Sequence, residues 1–302
     1  MSKDRSITVR SLCELWNQYT EFRARQLAPS TIKRDYRKIK RRLARLQKDA
    51  PDLNSSIEIR NWLLSHYSQE TARRTLVQFN AATTWAMNSD LVDTNPFDGI
   101  VSQIRKPQQS EKAWVAFTLR ERDLIIQAFA SQHPPALAWV QCLFYTGARP
   151  EEVAALRWEH VASDYREILI TEAFPVDMTE PQRTKNGKIT RFPCNHRLQN
   201  LLRTQQPSRC DRAGFVFPGV RGGRFDYHNF QTRYWKPIVE HLRDRGFVAF
   251  YLSQYHARHT FITEALRAGM DVAEVSYLCR VSTTVIYRHY LGRNRIINVP
   301  EF

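Results

Sequence analysis

Four short segments hold the residue types that could do chemistry. The first is YTGARPEEVAALRW, Tyr145 to Trp158, in which Gly147 breaks a helix and Arg149 lies on the turn before a new one. A cation at a helix N-terminus opposes the macrodipole. An anion bound there removes that conflict and uses the free N–H groups. Glu152, three residues on, is placed to hold the guanidinium. The second segment is YHARHTFITEALRAG, Tyr255 to Gly269. Tyr255, Arg258 and His259 fall at i, i+3 and i+4, on one helix face, while His256 points away from Arg258. The third, VIYRHYLG, offers Tyr287 and Tyr290, and the fourth is Lys185 at the tip of an expected hairpin. Taken singly these are ordinary: a surface charge, a polar helix face, a core tyrosine, an exposed lysine.

Two groups of elements must position them. Residues 7–100 read as a small all-helical unit. Its first helix runs from Thr8 to Gln26, with Leu12, Leu15, Tyr19 and Phe22 at helical spacing. A basic helix starts at Pro29-Ser30, and a third spans Ile57 to His66. A fourth runs from Thr71 to Asp90 with Leu76, Phe79, Ala82, Thr83 and Ala86 inward, and Thr94-Asn95-Pro96 ends it, because proline biases its predecessor away from helix. The polar stretch VSQIRKPQQSEKA, residues 101–113, is aperiodic and contains Pro107. It reads as an interdomain linker, set at 105–113, between units at 1–104 and 114–302. In the second unit Thr118 and Glu121 make a capping box before a helix through Phe129. Another helix follows Pro134-Pro135. EILIT (167–171) and ITRFPC (189–194) read as strands around a loop with the hairpin-type turn Lys185-Asn186-Gly187. Helices return from Asn195 and dominate to residue 291.

The charge is unevenly dense. The 302 residues carry 45 Lys+Arg against 30 Asp+Glu, a net charge of +15, and the isoelectric point is near 9.9. Such an excess favours a polyanionic partner, nucleic acid first. Both units are basic. The densest patch is KRDYRKIKRRLARLQK, Lys33 to Lys48, with nine basic residues and one acidic. Ile32, Tyr36, Ile39, Leu43 and Leu46 form one apolar stripe. Lys33, Arg34, Arg37, Lys38, Lys40, Arg41, Arg42, Arg45 and Lys48 crowd the remaining faces, where a phosphate backbone relieves their repulsion. Hydrophobic residues at 42% exclude disorder over most of the chain. The longest apolar stretch, Ala136 to Tyr145, is interrupted by Gln141 and falls far short of the ~20 residues of a membrane span. No signal region opens the sequence. Five scattered cysteines without a Cys-x-x-Cys pair argue against a disulfide framework and a zinc ribbon and fit a cytoplasmic protein. No spacing of His256, His259 and His289 supports a metal.

In their order the four segments resemble the tyrosine recombinase (phage integrase) family across nearly the whole chain. That family has a TGxRxxE segment, a lysine on a β-hairpin, an HxxRHT segment and a terminal IYxH segment. Here stand TGARPEE, RTKNGKITRFP, YHARHTF and VIYRHY, with about 110 residues between the arginines and about 30 from the second arginine to the tyrosine. The resemblance implies a mostly α fold with a small β-sheet or hairpin, in two domains that close on DNA as a C-shaped clamp. One is a helical core-binding (SAM-like) domain that ends in NPFDGI; the other is a mixed α/β catalytic domain. It places the catalytic arginines at Arg149 and Arg258, with Glu152 as supporting acid and His259 in support. The hairpin lysine falls on Lys185 and the nucleophile on Tyr287. There are two departures. Tyr255 stands where the family usually has histidine, with His256 beside it. The LGH segment aligns with LCRVS, so that Val281 takes the place of a histidine or tryptophan.

What the resemblance implies is transfer of a DNA phosphodiester to a tyrosine hydroxyl, with no cofactor and no metal. Two guanidiniums fork onto the non-bridging oxygens, a geometry that suits arginine. Tyr287 loses its proton as it attacks, Lys185 protonates the departing 5′ oxygen, and Tyr255 holds a phosphate oxygen or Arg258. A 3′-phosphotyrosyl link conserves the bond energy, so rejoining needs no ATP. The partner is double-stranded DNA. Four protomers assemble on two sites, an accessory bending or directionality factor can join them, and the protein works in the cytoplasm at the nucleoid. The apolar content and short reach of the tail ending IINVPEF, for their part, suit it to dock on a neighbour, and an arm-binding domain is not expected. Two other readings stay open: a catalytically silent DNA-binding protein on the same scaffold, and a type IB topoisomerase-like enzyme that relaxes supercoils.

Overall fold

The computed structural model describes residues 5–105, 115–176, 178–183, 187, 189–207 and 211–291. These are mostly helical, with a small antiparallel sheet. The chain divides into two compact units, Met1–Ser110 and Glu111–Phe302. Residues 106–114, which hold most of the expected linker, lie outside the described residues.

In the first unit, α1 (Val9–Ala24) is capped by Thr8, whose side chain accepts from the Ser11 amide. Leu12, Leu15 and Tyr19 are buried as their spacing predicts. Phe22 at the end of that stripe stays partly exposed and stacks on Trp85. The basic segment is not one uniform helix. It comprises α2 (Pro29–Thr31), a wider π turn over Ile32–Tyr36 and α3 (Arg37–Asp49). Tyr36, in the π turn, packs on Trp16 with ring centroids 4.9 Å apart. Ile39, Leu43 and Leu46 continue the buried stripe. Ser55 caps α4 (Ser56–His66), and Ser68 caps α5 (Gln69–Asn88). The helix ends at Asn88, and Asp90 takes a left-handed φ of 56°, so Thr94-Asn95-Pro96 is not its terminator. The segment locks the unit instead. Asn95 Oδ1 accepts from Thr83 Oγ1 (2.6 Å) and the Phe97 amide (2.9 Å), while Asn95 Nδ2 donates to Asn80 and Thr84.

The second unit is built around α7 (Leu137–Thr146), whose Trp139, Val140, Cys142, Leu143 and Phe144 are all buried. The capping box of Thr118 and Glu121 starts α6 (Leu119–Gln132). Glu121 has a second duty, accepting from the Ala249 amide at 2.7 Å. Helix α7 stops at Gly147, in the left-handed region at φ 59°, and Pro150 opens α8 (Pro150–Val153), as suits a first helical position. Strands β1 (Glu167–Ile170) and β4 (Thr190–Pro193) pair antiparallel, with Glu167 opposite Pro193. A second two-stranded antiparallel sheet, absent from the sequence expectations, pairs β2 (Glu172–Ala173) with β3 (Gln182–Arg183). Helices α9 (His196–Gln205), α10 (Tyr227–Phe230) and α11 (Lys236–Asp244) follow. The last three are α12 (His256–Arg267), α13 (Val272–Cys279) and α14 (Thr283–His289). A separate small core of Ile262, Val275, Cys279 and Ile286 ties these three together. No helix among the described residues is long and apolar enough to cross a membrane.

Gly147 is where two constraints meet. Its φ is left-handed, and a Cβ there would lie 2.6 Å from Phe261 Cδ1. Replacing Gly147 with Ala combines backbone strain with overpacking and should cost about 2–4 kcal/mol, read as a lowered denaturant midpoint. An unchanged midpoint contradicts that packing.

Candidate active site

Arg149 sits just before α8, at the position that caps it. Its backbone N–H donates to Glu152 Oε2 (2.7 Å), its Nη1 to Glu152 Oε1 (2.8 Å) and its Nη2 to the Arg280 carbonyl (3.1 Å). Arg258 projects from α12 and is almost wholly buried. Its Nη1 donates to the Gly147 carbonyl (2.9 Å) and its Nη2 to the Cys279 carbonyl. Thus both arginines reach consecutive carbonyls of the turn that joins α13 to α14. Burial alone would push the Glu152 carboxyl up. Arg280, Arg149 and Arg258 more than offset this, so it is held below the usual carboxylate range and stays charged. A cleft of about 700 Å³ opens beside Arg149, lined also by Glu151, Thr190, Tyr277, Arg280 and Thr283.

The second segment divides its work. Tyr255 immediately precedes α12, is 39% exposed and presents its ring to the edge of His259, with centroids 5.4 Å apart. His256 does not stand clear of the group. It shares a hydrogen bond with Ser253 Oγ (3.1 Å), and its ring packs 5.0 Å from that of His259. Burial, reinforced by His256, Arg258 and His289, drives the His259 pKa down to about 3, so the imidazole is neutral near pH 7. Its Nδ1 is hydrogen-bonded to the Tyr290 hydroxyl at 2.6 Å. Burial raises the Tyr290 pKa, so Tyr290 stays a phenol.

The two tyrosines of the third segment are therefore placed unequally. Tyr290 lies beside His259, where the charges of Arg258 and Arg149 reach it. Tyr287, on α14, is 60% exposed, and its side chain makes no hydrogen bond or ring contact among the described residues. Lys185 and the tail from residue 292 lie outside the described residues. Val281 supplies no polar group in place of the family's histidine: it packs against the core of α12, α13 and α14. The residue that turns into the site is its neighbour Arg280, bidentate on Glu152. Its signal in the sequence was slight. Arg280 is one arginine among many, and its left-handed backbone, φ 52°, is not visible in residue type.

The nine cations of the basic helix also divide. Arg42 donates to Thr75 Oγ1 (3.0 Å) and lies over the Tyr67 ring. Arg45 pairs with Asp49 (3.2 Å) and covers Trp62 and Tyr67. Arg34 pairs with Asp35 at the surface. Lys33, Arg37, Lys38, Lys40, Arg41 and Lys48 are exposed and make no ion pair among the described residues.

The neutral His259 has a stability consequence. Its folded pKa lies below its unfolded value, so the unfolded chain binds the extra proton between about pH 6.5 and pH 3 and stability falls as pH drops through that window. Tm should therefore fall less steeply with acid in His259→Gln than in the wild type. Parallel Tm profiles rule out a buried neutral imidazole.

Residues 117–292 match the phage integrase family. The tyrosine recombinase XerC of Pediococcus pentosaceus is 25% identical over 239 residues, 74% of this chain and 72% of that protein. The Tn1549 transposon integrase in complex with a circular intermediate DNA superposes with a TM-score of 0.75 at 17% identity, covering 92% of this chain and 94% of that one. The lambda integrase bound to DNA gives 0.64 at 13% identity, covering 97% and 100%. The last two likenesses establish the fold. With more than half of its length matched, the chain belongs to the phage integrase family.

Proposed function

We infer that this site-specific DNA recombinase does its chemistry through Arg149, Arg258 and Tyr287, and that the observation carrying the inference is the pair of guanidiniums built into one turn. Each has N–H groups to offer a phosphodiester, and each is anchored by protein carbonyls or a carboxylate. A phosphate entering beside Arg149 is forked by both, which stabilises the charge that builds on the non-bridging oxygens. The Tyr287 oxygen forms a bond to phosphorus as the P–O5′ bond breaks. The phenol loses its proton, and Lys185 gives one to the leaving 5′ oxygen. The product is a 3′-phosphotyrosyl link with a free 5′ hydroxyl, and attack by a second 5′ hydroxyl reverses the step. Tyr255 and His259 complete the polar wall.

Tyr287 must approach the arginines for this. Helix α14 has one buried residue, Ile286, and is tied at its end by the Tyr290–His259 bond, so a rotation of the helix about these anchors on DNA carries the phenol in. The placement of Tyr290 favours a second reading, in which Tyr290 is the nucleophile or the protein binds DNA without cutting it. The assay that separates these uses nicked suicide duplexes built on a sequence that the protein selects from random DNA. Tyr287→Phe should abolish the covalent 3′ adduct, and Tyr290→Phe should still form it. The reverse pattern transfers the role to Tyr290, and no adduct from any form supports the silent protein. Two paired sites on one plasmid then separate strand exchange from relaxation of supercoils.

The same reading makes residues 1–104 a core-binding domain that closes on duplex DNA with the catalytic domain at 114–302. Four protomers work on two sites at the nucleoid, with an accessory bending or directionality factor where direction is set. The exposed cations of the basic helix contact backbone phosphates, which position the duplex rather than read it. Replacing Arg37, Lys40 and Arg41 with Ala should flatten the slope of log K against log salt by about 2–3, from roughly 0.9 per lost phosphate contact. Arg42→Ala should leave the slope alone and lower stability. A slope unmoved by the triple variant removes this helix from the DNA interface.

A further inference from the structure

The turn after α13 holds a residue whose backbone and side chain disagree. Arg280 lies at φ 52°, ψ 47°, the left-handed position that ends a helix and that glycine or asparagine occupies at least cost. A backbone outlier of this kind persists where surrounding contacts over-determine it. Here the contacts are made by the side chain. Nε donates to Glu152 Oε1 (3.0 Å), Nη2 to Glu152 Oε2 (2.6 Å) and Nη1 to the Leu278 carbonyl (2.9 Å). Only 11% of the side chain is exposed. The residue's own carbonyl receives Arg149 Nη2, and the carbonyl before it receives Arg258 Nη2.

We propose that Arg280 is a positioning residue for strand cleavage, which sets Arg149 by sharing its carboxylate partner Glu152. This deepens the recombinase reading and rests on it. Glu152 alone with Arg149 would form a neutral pair, and its attraction for a phosphate would be slight. A second guanidinium on the same carboxylate leaves the trio with one positive charge, and Arg258 adds another. The bidentate grip of Arg280 also orients the carboxylate plane, so that one oxygen faces Arg149 Nη1 and the other its backbone N–H. The left-handed turn is what aims the Arg280 side chain back at Glu152 while its carbonyl faces Arg149. One residue thus fixes the cation from two sides.

The backbone conformation supplies a clean test. Arg280→Gly removes the side chain and relieves the φ, which partly offsets the loss of one partner of the buried Glu152; assayed well below the Tm of the variant, affinity for the selected duplex should stay within about twofold. Single-turnover formation of the covalent adduct should slow by at least about tenfold, since misplacing a catalytic group by a fraction of an ångström is costly. Arg280→Lys, which returns the charge without the bidentate fork, should recover part of the rate. In a Glu152→Gln background the glycine change should cost less than about threefold, because partners in one network are not additive. Arg280→Asn, the other residue at ease in this turn, carries the same comparison if glycine loosens the loop. A wild-type cleavage rate in both Arg280→Gly and Arg280→Asn overturns the proposal, as does an undiminished effect in the Glu152→Gln background or a loss accounted for by affinity or Tm. Absence of the adduct in the wild type itself overturns the cleavage chemistry, and this assignment with it.

Discussion

Burying a guanidinium is expensive unless every face of it meets an acceptor, and this site buries one almost completely and two more in part. Glu152 is the anion that makes this tolerable, with both oxygens bonded to Arg149 and both to Arg280. Main-chain carbonyls do the rest: Gly147 and Cys279 receive Arg258, and Arg280 receives Arg149. These carbonyls come from two helix ends, where acceptors are left over by the helical pattern. The termination of α7 at Gly147 and of α13 at Cys279 is therefore part of the site. Lengthening either helix by a turn would consume the acceptors that the cations need.

A consequence is that the arginine half of the site is interlocked, while Tyr287 on α14 stands exposed outside that network. Arg149, Glu152, Arg258 and Arg280 interlock across three elements. Helix α14 is held by Ile286, by a capping bond to Ser282 and, at its C-terminal end, by Tyr290 bonded to His259. The first unit shows a related economy. Its basic helix keeps an apolar stripe in the core and sets Arg42 and Arg45 against aromatic rings, while an outer row of cations stays exposed.

Much of this was legible in residue order. Apolar spacing placed Leu12, Leu15, Tyr19, Leu43 and Leu46 in the core of a helical unit, and Gly147 marked the turn that presents Arg149. The spacing of Thr118 and Glu121 named a helix start, and Arg149 with Glu152 named an ion pair, because both are local: partners three residues apart meet whatever the rest of the chain does. The end of α5 was misread because Asn95-Pro96 is a strong turn signal, and the turn it makes serves to lock the unit rather than to stop the helix.

Sequence by itself determined the charge, the helical character and the family, since these follow from residue type and short-range spacing. Tertiary structure alone decided which groups meet. It brought Arg280 and not Val281 to Glu152 across 128 residues of chain, set Tyr290 and not Tyr287 beside His259, and turned Arg42 inward while Arg41 faces out. Each of these depends on a backbone angle or a helix rotation measured against a distant element. Neighbours in sequence carry the same charge or the same hydroxyl, and only packing distinguishes one from the next.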